Sequence, residues 1–183
     1  MKVCTFFGHR NTNLNAEQLK HLQVIIENLI LIKKVRVFLF GTRSNFISNC
    51  HKIVSDLKSK YLDIIRVGCP CKHEIFVLEN EIEYYNKIYN RVIHENIEIL
   101  GVEKIVDFKN INKAGKASYI ERNYEMIDAA DYCVFYYNKN YLPSTRKFSK
   151  RDIASYQPRS GTDLAYDYAT KKKKEIINVF EWL

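Results

Sequence analysis

Three short stretches carry residue types suited to one chemistry, the holding of phosphate. They are Gly8-His9-Arg10, Gly41-Thr42-Arg43 and Ser160-Gly161-Thr162-Asp163. A glycine lets backbone approach a ligand closely, and the N–H groups at a helix start lack intrahelical partners, so an anion finds donors there. Arg10 and Arg43 would supply charge, and Thr162 a hydroxyl. Each stretch also has a plainer reading. Ser160 and Thr162 suit a helix cap, a role compatible with phosphate binding because a helix start has several free donors. His9 is equally suited to a ligand contact or to a backbone hydrogen bond at a strand end.

Those residues act together only if strands and helices deliver them to one edge. The runs "KVCTFF", "VRVFLF", "DIIRVG", "EKIVDF", "YCVFYY" and "EIINVF" read as buried strands. Between them, "NAEQLKHLQVIIENLILI" has Leu19, Leu22, Ile26, Leu29 and Ile30 at helical spacing. "NFISNCHKIVSDLKSK", "EIEYYNKIYNRVI" and "SYIERNYEMIDAA" read as further helices, the last with Ser118 and Glu121 placed as a capping box. A final helix opens at Ser160. This alternation predicts a Rossmann-like α/β fold, a mostly parallel sheet with helices on both faces. Residues 1–183 read as one domain, with a basic irregular insertion at about 138–159. Ligands of such sheets bind at the carboxyl ends of the strands, where all three glycine-containing stretches fall.

Bulk properties narrow the partners. The net charge is +8, from 29 Lys and Arg against 21 Asp and Glu, which favours anionic partners and says nothing of fold. The longest apolar region, "LQVIIENLILI", carries Glu27 and Asn28 and is far short of a bilayer span, so no membrane role is expected. No signal segment is expected before the first strand, and the expected location is the cytoplasm, with the five cysteines reduced. Cys4 and Cys133 lie in apolar strands and read as core. Cys69, Cys71 and His73 lack the spacing of common zinc sites, and no metal or cofactor is expected.

The insertion holds Lys139, Arg146, Lys147, Lys150, Arg151 and Arg159 against Asp152 alone, with Tyr141, Phe148 and Tyr156 interleaved. It would serve as a lid that clamps phosphate and stacks a base, as a groove for single-stranded nucleic acid, or as an idle surface loop. Lys171–Lys174 reads as a solvated helix end, where cations suit the dipole.

The segments "TFFGHR", "YIERNYEMIDAAD" and "SGTDLAYDYA", in that order, resemble the SLOG superfamily, which joins DprA/SMF proteins with the LOG nucleotide phosphoribohydrolases; the nearest branch is YpsA-like. The resemblance implies a modified Rossmann fold binding nucleotides or nucleotide-derived ligands. By position it puts Gly8 under the ligand, Arg10 at one phosphate and Gly161-Thr162 at another. Arg122 matches the active-site arginine of the phosphoribohydrolases, and Asn123 resembles the second residue of the Arg-Asn pair on the DprA side. One departure bears on chemistry. The hydrolases carry a catalytic Glu three residues after the turn Thr, and this chain has Ala165 there. Alanine neither steadies oxocarbenium-like charge nor activates water.

The expected function is therefore binding of an ADP-ribose-like or adenine nucleotide ligand, for sensing or sequestration. Its site residues would be Gly8, His9, Arg10, Gly41, Thr42, Arg43, Arg122, Asn123, Ser160, Gly161, Thr162 and Asp163. The alternative is a nucleotide N-glycoside hydrolase using Arg122 and Asp163. A third reading is a DprA-like binder of single-stranded nucleic acid acting through residues 138–159. Superfamily relatives form dimers, and the sequence leaves the oligomer open.

Overall fold

A computed structural model of the chain describes residues 1–41, 44–71, 102–106, 108, 111, 116–147 and 155–182. Its centre is strand β1 (Lys2–Gly8), whose Cys4, Thr5, Phe6 and Phe7 are all buried. β1 pairs in parallel with β2 (Val35–Phe40) on one side. Beyond β2 lie β3 (Ile65–Gly68) and β4 (Lys104–Ile105), again parallel. On the other side β1 pairs in parallel with β5 (Tyr132–Tyr136), with Phe6 opposite Val134, and β5 pairs with Glu175–Asn178, the outermost strand.

Side chains on such strands leave the sheet to both sides, and both sides are covered. Phe6, Phe38 and Val134 pack with helix α1 (Ala16–Leu31) and helix α2 (Asn45–Lys58). Phe7, Leu39 and Phe135 pack with α3 (Lys116–Ala129) and α4 (Gly161–Lys171). Continuous apolar strands are what a sheet sandwiched between helix layers requires. The fold is the Rossmann-like α/β arrangement expected from the alternation of elements. The chain winds outward from β1 through β4, then returns to β1's other side with β5. That reversal opens a crevice at the carboxyl ends of β1 and β5.

Local signals explain the helix starts. Asn15 and Gln18 form a reciprocal capping box at α1, at 2.9 Å in each direction. Helix α3 begins at Lys116, so Ser118 lies inside its first turn and is not the cap expected from the Ser118–Glu121 spacing. The run "EIINVF" keeps strand geometry only to Asn178, and Val179–Glu181 turns into a single 3₁₀ turn. The lysine run closing α4 is also tied down. Lys174 donates to the backbone carbonyls of Asp128 and Ala130, and Lys172 pairs with Asp128 at 3.0 Å, all at the end of α3.

The insertion is not wholly irregular. Within it β6 (Arg146–Lys147) and β7 (Ser155–Tyr156) pair antiparallel. The helix expected at "EIEYYNKIYNRVI" lies outside the described residues, as do Thr42, Arg43 and His73.

Candidate functional site

The crevice between β1 and β5 holds a cavity of about 370 Å³. Gly8, His9 and Arg10 reach it from the end of β1, Arg122 and Asn123 from α3, and Ser160, Gly161 and Thr162 from the start of α4. Eight of the twelve site residues expected from the sequence thus share one wall system.

Helix α4 meets the cavity with its positive end. Ser160 is the N-cap, extended at φ −73° and ψ 153°, and its hydroxyl accepts the Asp163 N–H at 3.0 Å. The N–H groups of Gly161 and Thr162 belong to the first turn, where no intrahelical acceptor is available. The helix dipole adds positive potential at the same spot. Replacing Ser160 with Ala removes the acceptor for the Asp163 N–H and is expected to cost about 1 kcal/mol, read from urea unfolding midpoints.

Arg122 is only 3% exposed although it borders the cavity, so it is not the solvated partner of Glu125 that helical spacing alone allows. Asn123 Oδ1 accepts from Arg122 Nε at 3.3 Å and from Nη2 at 3.1 Å, and the guanidinium lies 5.3 Å from the Tyr119 ring centroid. Gly41 does not line the cavity and serves the site indirectly. A Cβ built on Gly41 would sit 2.9 Å from Arg122 Cζ, so the missing side chain is the space the guanidinium occupies.

His9 joins the strand end to the insertion. It is 5% exposed, and its Nε2 accepts the Asn138 N–H at 3.1 Å. Nε2 must therefore be unprotonated, and the neutral ring carries its proton on Nδ1. Burial lowers the His9 pKa, outweighing the Asp163 carboxylate that raises it. Nδ1 is buried with no hydrogen-bond partner among the described residues. Tyr141 stacks on the same ring, with centroids 3.9 Å apart.

Asp163, like Gly41, does not line the cavity. Its carboxylate accepts from Arg159 Nε at 2.6 Å and from the Tyr137 hydroxyl at 2.9 Å. The Arg159 guanidinium, first, and the Tyr137 hydroxyl hold its pKa below the ordinary carboxylate value against the opposing effect of burial. Burial, with the Asp163 bond, pushes Tyr137 up to about 12. A general acid needs its pKa raised, and Asp163 is shifted the other way. Ala165, at the position of the hydrolases' Glu, is fully buried in the core with Phe7 and Phe135.

Ser44 was missed. Its hydroxyl lies 3.2 Å from the Gly8 carbonyl and 3.1 Å from that of His9, and the Asn45 N–H donates to the Arg10 carbonyl at 3.2 Å. These bonds tie the start of α2 to the residues that follow β1. A serine directly before a helical pattern was the available signal.

Cys69 and Cys71 are both buried, and burial pushes the Cys69 thiol up to about 12. No group of three or more metal-ligating side chains occurs among the described residues. No helix among them is long and apolar enough to cross a membrane. Compared with models of known protein families and with curated protein sequences, the chain matches none.

Proposed function

We propose that the cavity binds a nucleotide or nucleotide-derived ligand, an adenine nucleotide or an ADP-ribose-like molecule, and that the protein senses or sequesters it. The observation that carries this reading is the meeting of the α4 N terminus with buried Arg122 on one cavity wall at the sheet's switch point. Donors from a helix start and a guanidinium fork together suit phosphate oxygens. Arg10 and Arg159 line the same cavity, and no carboxylate does so among the described residues. The order of the Gly-His-Arg, Arg-Asn and Gly-Thr segments supports placement in the SLOG superfamily.

Binding without cleavage is favoured over N-glycoside hydrolysis. The only nearby acid singled out for that role, Asp163, is engaged by Arg159 and Tyr137 and held ionised.

A thermal-shift series with nucleoside mono-, di- and triphosphates, NAD and ADP-ribose tests the proposal. A ligand at 100 times its Kd stabilises by about 2.7 kcal/mol, a Tm rise of roughly 5–10 °C at this size. Intact recovery of the stabilising ligand supports a binder, release of free base establishes a hydrolase, and no rise with any member refutes a small-nucleotide site. Gly161→Ala sharpens the test. A Cβ at Gly161 meets nothing within 4 Å, so Tm without ligand should stay within about 2 °C. Affinity should fall about tenfold if phosphate packs on that backbone, a loss worth about 1.4 kcal/mol.

A further inference from the structure

The insertion brings one aromatic ring into the cavity and fixes it there. Tyr141 lines the cavity, is 37% exposed, and stacks on His9 with an interplanar angle of 23°. The turn that carries it is bound at three points. His9 Nε2 takes the Asn138 N–H, the Asn138 carbonyl takes the Tyr141 N–H at 3.0 Å, and Asn138 Oδ1 takes the Asn140 N–H at 2.8 Å. His9 itself follows the last residue of β1, is buried, and its carbonyl lies 3.1 Å from the Ser44 hydroxyl. One side of the tyrosine ring rests on buried imidazole, and the residue keeps 37% exposure where it borders the cavity. A ring immobilised in this way loses little freedom when a second planar group settles on it.

From this arrangement we infer that Tyr141 is the stacking platform for the base of the ligand, while Arg122 and the α4 N terminus take its phosphate. The inference rests on the proposed phosphate site and adds to it the requirement for an aromatic ring. Stacking is tolerant of base identity because every base presents a π-face. The site thus separates nucleotides from sugar phosphates, and it does not separate one base sharply from another.

Three probes test the inference by isothermal titration: AMP, ribose 5-phosphate and adenosine. Wild-type protein should bind AMP at least about tenfold more tightly than ribose 5-phosphate, which keeps the phosphate and lacks the base. Tyr141→Ala should weaken AMP and adenosine about tenfold and move ribose 5-phosphate by no more than about twofold. Tyr141→Phe keeps the ring and should hold all three within about threefold.

Equal wild-type affinity for AMP and ribose 5-phosphate overturns the platform, as does equal weakening of both in Tyr141→Ala. Adenosine binding that depends on Tyr141, with neither phosphate compound bound, leaves the platform standing and removes the phosphate site. Failure of all three removes both.

Discussion

Arg122→Ala is expected to weaken AMP binding by about 100-fold, the largest loss of affinity from any single change at the cavity. Removing one partner of a buried, hydrogen-bonded charge pair typically costs 2–5 kcal/mol, or roughly 30- to 4,000-fold. The guanidinium sits where such a loss is greatest, at 3% exposure and beside the helix start that offers the other donors. Arg122→Lys keeps the charge and loses the planar fork, so it should recover only part of the affinity, to about tenfold below wild type. Gly41→Ala supplies a variant with Arg122 still in place. The new Cβ would press on Cζ at 2.9 Å and on Nη2 at 3.0 Å, and the flexible end of the side chain is what must yield. Its affinity should drop about tenfold with less than about 1 kcal/mol of stability lost. Titration of AMP into the three variants, with urea unfolding of each alone, decides the matter. Wild-type affinity in Arg122→Ala would remove the guanidinium from the site.

The fold was legible because burial on both faces of a parallel sheet writes itself as uninterrupted apolar runs, as in "CTFF" of β1 and "YCVF" of β5. The start of α4 at the cavity was legible for a related reason. Glycine and hydroxyl residues at strand ends and helix starts are constrained locally, and Ser160 caps α4 as its type and place predict. Three features were hidden because they depend on contacts distant in sequence. His9 and Tyr141 stack although they lie on β1's end and in the insertion, and nothing in either segment encodes the other. The space above Gly41 belongs to Arg122, a fact about the crossing of β2's end and α3. Asp163 turns from the cavity because Arg159, one turn earlier, and Tyr137, at the end of β5, claim its carboxylate. Only the Arg159–Asp163 spacing was visible in the sequence, and spacing alone does not say which of several partners a carboxylate takes.

Gly8→Ala should be more destabilising than Gly41→Ala or Gly161→Ala, lowering stability by about 2–3 kcal/mol and Tm by roughly 5–10 °C. A Cβ at this position would lie 2.5 Å from Phe46 Cβ and 2.7 Å from its Cγ and Cδ1. Unlike the guanidinium above Gly41, Phe46 cannot swing aside. It is fully buried in the first turn of α2, packed in the core that contains Phe6 and Phe38. Relief would require α2 to back away from β1, and that movement stretches the Ser44 contacts to the Gly8 and His9 carbonyls and the bond from Asn45 to Arg10. Those bonds hold the residues that border the cavity, so affinity for AMP should fall along with stability. Phe46→Ala in the Gly8→Ala background gives the discriminating result. If the clash is the cause, removing Cγ and Cδ1 should make the losses of the two changes less than additive, although Phe46→Ala alone destabilises the wild type. Additive losses in the double variant would show instead that Gly8 is required for its backbone conformation and not for the close approach of helix and strand.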